Sequence, residues 1–186
     1  MLCMLITVSA FSQSYKKYGV KCGIVKTVTD ASGRKSYNTT WFDHYGALEK
    51  TIVTMDMGGG MGVSEWITIS LEDGNSYLLD ESRKQVSVTK RVDVNYLDMP
   101  EALAKSRQAK KLGEETIDGR KCVKWEEHVK QIFHTAVMTS WVWEGIPIKY
   151  SINNPKSETT LLEFEQKKSF SDEMFAIPSD YKVRKL

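Results

Sequence analysis

The sequence predicts a mainly β member of the α+β class: a curled antiparallel sheet accompanied by one or two helices. Three observations predict it. Short β-branched and aromatic runs recur along the chain between turns that carry Gly, Asn or Asp. Within the runs apolar and polar residues alternate, as in Val86-Ser-Val88-Thr, the period of a strand with one face covered. Only one stretch, Asp98 to Gly113, repeats its apolar residues every three to four positions. About nine or ten strands result, enough that an antiparallel sheet must curl.

Taken in order, Tyr18–Val28 and Lys35–Phe42 flank Asp30-Ala-Ser-Gly33 and read as a hairpin. Asp43-His-Tyr-Gly46 turns into a third strand, Ala47–Met57. The run Met57-Gly58-Gly-Gly60-Met-Gly62 fails as a phosphate loop, because the alternating strand Trp66–Leu71 follows it where a helix is needed. Glu72-Asp-Gly-Asn75 is a tight hairpin turn, and Tyr77–Asp80 and Gln85–Val94 continue the sheet. Asp98-Met-Pro-Glu101 has the residues of a capping box and Gly113 those of a helix stop; the narrow apolar stripe between them suits a lid or plug. After it, Cys122–Val129, Phe133–Trp143, Ile148–Ile152 and Thr159–Lys167 read as strands. The Phe133–Trp143 strand has apolar residues on both parities, which predicts cover on both faces. Phe175–Lys182 reads as a short closing segment.

Length and charge set the bounds. At 186 residues the chain suits one domain, and a net charge of +2 from scattered basic residues gives no footprint for nucleic acid. No stretch supplies the roughly 20 apolar residues of a membrane span. Residues 1–13 combine an uncharged apolar run with small residues at Ala10 and Ser12, which predicts a signal peptide, cut after Ser12 or Gln13, and a single domain over 14–186. Export to the periplasm would leave Cys22 and Cys122. They can either pair, closing a loop of about 100 residues worth roughly 4–5 kcal/mol in the entropic model, or pack as two buried thiols.

Catalytic and metal motifs are lacking. There is no Gly-x-Ser-x-Gly, His-Glu-x-x-His or Cys-x-x-Cys, and the paired carboxylates Glu114-Glu115 and Glu126-Glu127 are neighbours that point apart on a strand. Cys122, His128 and His134 recur at six-residue intervals, about 20 Å apiece along one strand, so only a hairpin between the histidines would bring ligands together. No catalysis, metal or cofactor is expected.

The chain resembles a group of exported domains of certain Gram-negative bacteria related to the periplasmic carrier of outer-membrane lipoproteins, the LolA-like superfamily. The resemblance rests on the order of Tyr18-Gly-Val-Lys-Cys-Gly-Ile24, Trp41-Phe-Asp-His-Tyr-Gly46, Gly113–Trp125, Trp143-Glu-Gly-Ile-Pro147-Ile-Lys149 and Phe175-Ala-Ile-Pro178. It implies an unclosed β-barrel with helices on the concave side and a cavity for acyl chains. The resulting expectation is a periplasmic, non-catalytic carrier of a lipid or of lipoprotein acyl chains. Met57, Met61, Trp66, Met99, Leu103, Trp141 and Trp143 are the candidate lining residues, each of which could equally be plain core. The alternative is an envelope interaction module that binds another protein and holds no ligand.

Overall fold

Alternation and turn chemistry decide the strands. A computed structural model describes residues 15–130 and 134–185, so the signal-peptide segment lies outside the described residues. Its strands are β1 Gly23–Ala31, β2 Arg34–Asp43, β3 Leu48–Asp56, β4 Val63–Ser70, β5 Asn75–Asp80, β6 Gln85–Lys90, β7 Lys110–Ile117, β8 Arg120–Lys130, β9 Thr135–Trp143, β10 Ile146–Asn153, β11 Lys156–Gln166 and β12 Lys182–Lys185. They form one sheet in the order β12-β6-β5-β4-β3-β2-β1-β11-β10-β9-β8-β7. Two meanders, β1 to β6 and β7 to β11, join where β1 pairs with β11, and the sheet is not closed.

Two expectations need correction. The sheet is mixed, because β12 runs parallel to β6. The stretch from Lys167 to Tyr181 carries the chain from β11 to the far edge of the sheet, and it includes a 3-10 turn, Asp172–Phe175. The helix α1 spans only Glu101–Ser106, with Pro100 at its cap, no side-chain capping bond and no buried residue. Its narrow stripe brings too little burial to hold more turns, while the segment after it gains a full ladder against β8. Gly113 therefore sits at a bulge in edge strand β7 and stops no helix.

Register assigns the faces. Trp125, Ser140, Tyr150, Thr159, Thr29, Ser36, Met55 and Ser64 are successive cross-strand partners, and they share a face with Phe42. One core forms from Tyr18, Val25 and Phe42 with Ile146, Ile148 and Cys122. The opposite, Trp41 face carries Ile67, Ile69, Leu79 and Val86, which the crossover covers with Phe175 and Tyr181. Three residues, Lys17 to Gly19, bridge Glu49 on β3 to Glu144 at the end of β9. Those strands are five places apart, about 24 Å in a flat sheet at ~4.8 Å per strand, so the sheet curls toward the Phe42 face here. Among the described residues no helix is long and apolar enough to cross a membrane.

Candidate functional site

From Arg91 to Ala109 the chain leaves β6, crosses the Phe42 face and enters β7. Besides α1 this strap holds a bend after Asn95, whose side-chain carbonyl accepts from the Leu97 and Asp98 N–H groups, and a buried carboxylate of the sheet anchors it near each end. At β3, Glu49 accepts from Tyr18 Oη at 2.5 Å, Lys17 Nζ at 2.8 Å and Arg91 Nη2 at 2.5 Å. Arg91 also donates to the carbonyls of Gly46 and Ala47 and pairs with Asp93, which accepts from Lys17 at 3.0 Å and Tyr15 at 2.5 Å. At β8, Glu127 is 0 % exposed and accepts from Tyr96 Oη at 2.6 Å and Arg107 at 2.9 Å. The Arg107 carbonyl in turn accepts from the His128 N–H at 2.6 Å.

Both phenols stay neutral donors. Burial, then the charge of Glu49, pushes Tyr18 far above its ordinary range, and burial with the Glu127 hydrogen bond does the same to Tyr96. Burial opposes the Lys17 charge, but the Glu49 and Asp93 carboxylates outweigh it and hold the ammonium charged. These clusters are ionic anchors rather than reactive centres: each charge is already matched by an opposite one.

The strap leaves part of the Phe42 face open. On β3–β5, Trp66 and Leu78 are 40 % and 45 % exposed, beside half-buried Val53 and Met55. Val129, Met138 and Ile152 are half-buried on the same face in the other meander. Between these apolar flanks lies a hydroxyl belt, with Thr29 bonded to Thr159 at 2.6 Å and Thr40 to Thr51 at 3.0 Å. Three clefts are also present. One of about 870 Å³ lies on the Trp41 face among Asp30, Lys35, Ser151, Lys156 and Glu158. Two smaller ones flank Tyr15 and Arg91.

The structure disperses the residues nominated from sequence. Met57 and Met61 are exposed on the β3–β4 turn, with Trp66 a few residues into β4 on the Phe42 face. Met99 and Leu103 are half-buried on the strap. Trp143 packs against the Cys122 core and the edge of Phe164. Trp141 faces the other way from Ser140 and carries Lys124 and Lys149 on its ring, at 4.8 and 5.2 Å, while its indole N–H donates to Glu115. None of the seven lines any of the three clefts.

Cys22 and Cys122 are free thiols, both fully buried. Burial first, then Asp43, pushes the Cys22 thiol up to about 12, so it packs as a small hydrophobe. Cys122 donates to the Arg120 carbonyl. β8 and β9 do form a hairpin, yet Cys122 lies opposite Glu115, far along β8 from His128, and His134 bonds the Asn154 carbonyl. Among the described residues no three of His, Cys, Asp and Glu cluster as metal ligands.

Sequence reasoning missed Glu49 and Glu127. A signal was present in each: a carboxylate at a core-facing parity, Glu127 in step with Val123, Trp125 and Val129.

No protein-family profile and no curated protein sequence matches the chain. Solved structures match in fold. An uncharacterized conserved protein of Thermus thermophilus is 12% identical, with a TM-score of 0.56 over 89% of this chain and 91% of its own. MucB, solved in complex with MucA(peri), is 13% identical, with a TM-score of 0.51 over 89% of this chain and 57% of its own. PNGF-II is 9% identical, with a TM-score of 0.52 over 90% of this chain and 32% of its own. The chain therefore spans about a third of PNGF-II and little more than half of MucB. At these identities the likeness is one of architecture alone.

Proposed function

We propose that the protein is an exported, non-catalytic binding or carrier domain of the bacterial envelope, working in the periplasm once residues 1–13 are removed. Its open Phe42 face takes an apolar ligand, a lipid or the acyl chains of a lipoprotein. The observation that carries this is the apolar surface of Trp66, Leu78, Val53 and Met55, left uncovered on a face that the strap elsewhere fills. A fold of the lipoprotein-carrier kind supports it. Native mass spectrometry of protein purified without detergent, with fluorescent fatty-acid titration, is the test. Bound lipid and saturable binding, weakened about tenfold or more by Trp66→Ala, are expected. Absence of both sinks the carrier reading.

The second reading is an envelope interaction module, in which the same surface meets a protein. What favours it is MucB, whose fold is shared and which was solved with MucA(peri) bound. Capture of a protein partner that Trp66→Ala abolishes, with no lipid in the purified protein, would select it.

A further inference from the structure

Two adjacent residues in the turn between β2 and β3 hold a conformation that side chains disfavour. His44 (φ 50°) and Tyr45 (φ 59°) are both left-handed, the one adjacent non-glycine pair of this kind among the described residues. The backbone needs this shape: the Tyr45 carbonyl accepts from the Lys17 and Tyr18 N–H groups, and its N–H reaches the Lys21 carbonyl. Glycine would meet that need without steric cost, so what these side chains do points to a role beyond the turn.

Both line a cleft of about 520 Å³, together with Tyr15, Lys21, Leu71 and Glu72. Glu72 lies 2.7 Å from His44 Nδ1 and accepts from it. Tyr15 and Tyr45 are 44 % and 37 % exposed. Each ring has a cation over it, Arg91 at 5.2 Å and Lys16 at 4.6 Å. A second cleft of about 720 Å³ begins on the same Tyr15 and Arg91 and runs to Asn95 and Leu97. The two make one groove with an aromatic ridge.

The walls narrow the ligand class. Rings interleaved with charged groups do not suit an acyl chain. Of the lining cations, the Arg91 guanidinium is spent on the Gly46 and Ala47 carbonyls and Glu49, and Lys16 sits over the Tyr45 ring, which leaves Lys21 alone to meet an anion. A ligand with an apolar face for the rings and hydroxyls for His44 and Glu72 fits best. We infer that this groove binds an oligosaccharide, with Tyr15 and Tyr45 as stacking platforms and the His44–Glu72 pair as hydroxyl partners.

Calorimetric titration with chitotetraose and with maltotetraose tests it. One of them binds, and Tyr45→Gly weakens that binding about tenfold while Tyr45→Phe keeps it. Tyr45→Gly also raises the Tm, by about 2–4 °C, because it relieves the left-handed strain; a merely structural tyrosine would lower it. Trp66→Ala, on the surface proposed for the apolar ligand, leaves saccharide binding unchanged. The inference is overturned if neither saccharide binds at about 10 mM, or if Tyr45→Gly leaves binding intact.

Discussion

Glu49 and Glu127 solve one problem in two ways. Each is a carboxylate buried on the Phe42 face, and each takes a tyrosine hydroxyl and an arginine from chain that crosses the sheet. Glu49 has two cations, Lys17 and Arg91, whose excess charge Asp93 balances. Glu127 has one cation, Arg107, whose side chain is 24 % exposed against 7 % for Arg91. The Glu49 site is thus a closed four-charge cluster, whereas the Glu127 site is a single pair with one end near water. The difference teaches that burial of the partner, more than burial of the carboxylate, sets what a deletion costs. A stranded cation that cannot reach solvent keeps its whole desolvation penalty.

The largest expected effect follows from that. Glu49→Ala should destabilise the fold by about 4–5 kcal/mol, since it leaves Asp93 alone to balance two buried cations, Lys17 and Arg91, and Glu127→Ala by about 3 kcal/mol, since Arg107 can swing outward. Urea unfolding with m held constant measures both. Equal costs, or a larger one at Glu127, would break the comparison.

Removing hydroxyls should reverse the order. Tyr18→Phe leaves Glu49 with two cations, and Tyr96→Phe leaves a fully buried Glu127 with only Arg107. We expect Tyr96→Phe to cost about 2 kcal/mol and Tyr18→Phe about 1 kcal/mol. A double-mutant cycle of Tyr96→Phe with Arg107→Ala should show coupling, because both act on one carboxylate. The reversal separates an account based on partner count from one based on depth of burial alone.

How much of this was legible in the chain depends on the range of the interaction. Strands and most hairpins follow from alternation and from turns such as Asp73-Gly74, which are local; the curl follows from the number of strands, and the openness of the sheet was an expectation of the resemblance. The helix was overextended because a weak local pattern lost to the β7–β8 ladder, a pairing that the stripe from Met99 to Leu112 does not announce. The parallel placement of β12 depends on which face the crossover covers, and that is set by Phe175 and Tyr181 meeting the β4–β6 core. The seven nominated lining residues share soft or aromatic chemistry but not location. Parity showed that Trp141 and Trp143 belong to one strand, and not that Lys124 and Lys149 cover one ring while Phe164 packs against the other. The Tyr15–Tyr45 groove was invisible for a related reason: left-handed backbone at His44 and Tyr45 is imposed by contacts from residues 17, 18 and 21.

The smallest effect probes the charge balance inside the Glu49 cluster. Burial opposes the Asp93 charge, but Lys17, the Tyr15 hydrogen bond and Arg91 outweigh it and hold its carboxyl below the usual carboxylate range. A depressed folded-state pKa means that the unfolded chain takes up this proton first as pH falls. Its stabilising contribution is therefore complete above the ordinary aspartate value near ~3.9 and is lost as pH drops through the lower folded value. Asp93→Asn should flatten that part of the acid limb, leaving the stability difference between pH 7 and pH 3 smaller than in the wild type by about 1 kcal/mol. Glu127 lies at the other end of the strap and shares no partner with Asp93. Asp93→Asn and Glu127→Ala should accordingly add in their effects on stability at pH 7, within about 0.5 kcal/mol. Strong coupling between them would mean that the strap transmits strain from one anchor to the other, and the two sites would then have to be treated as one.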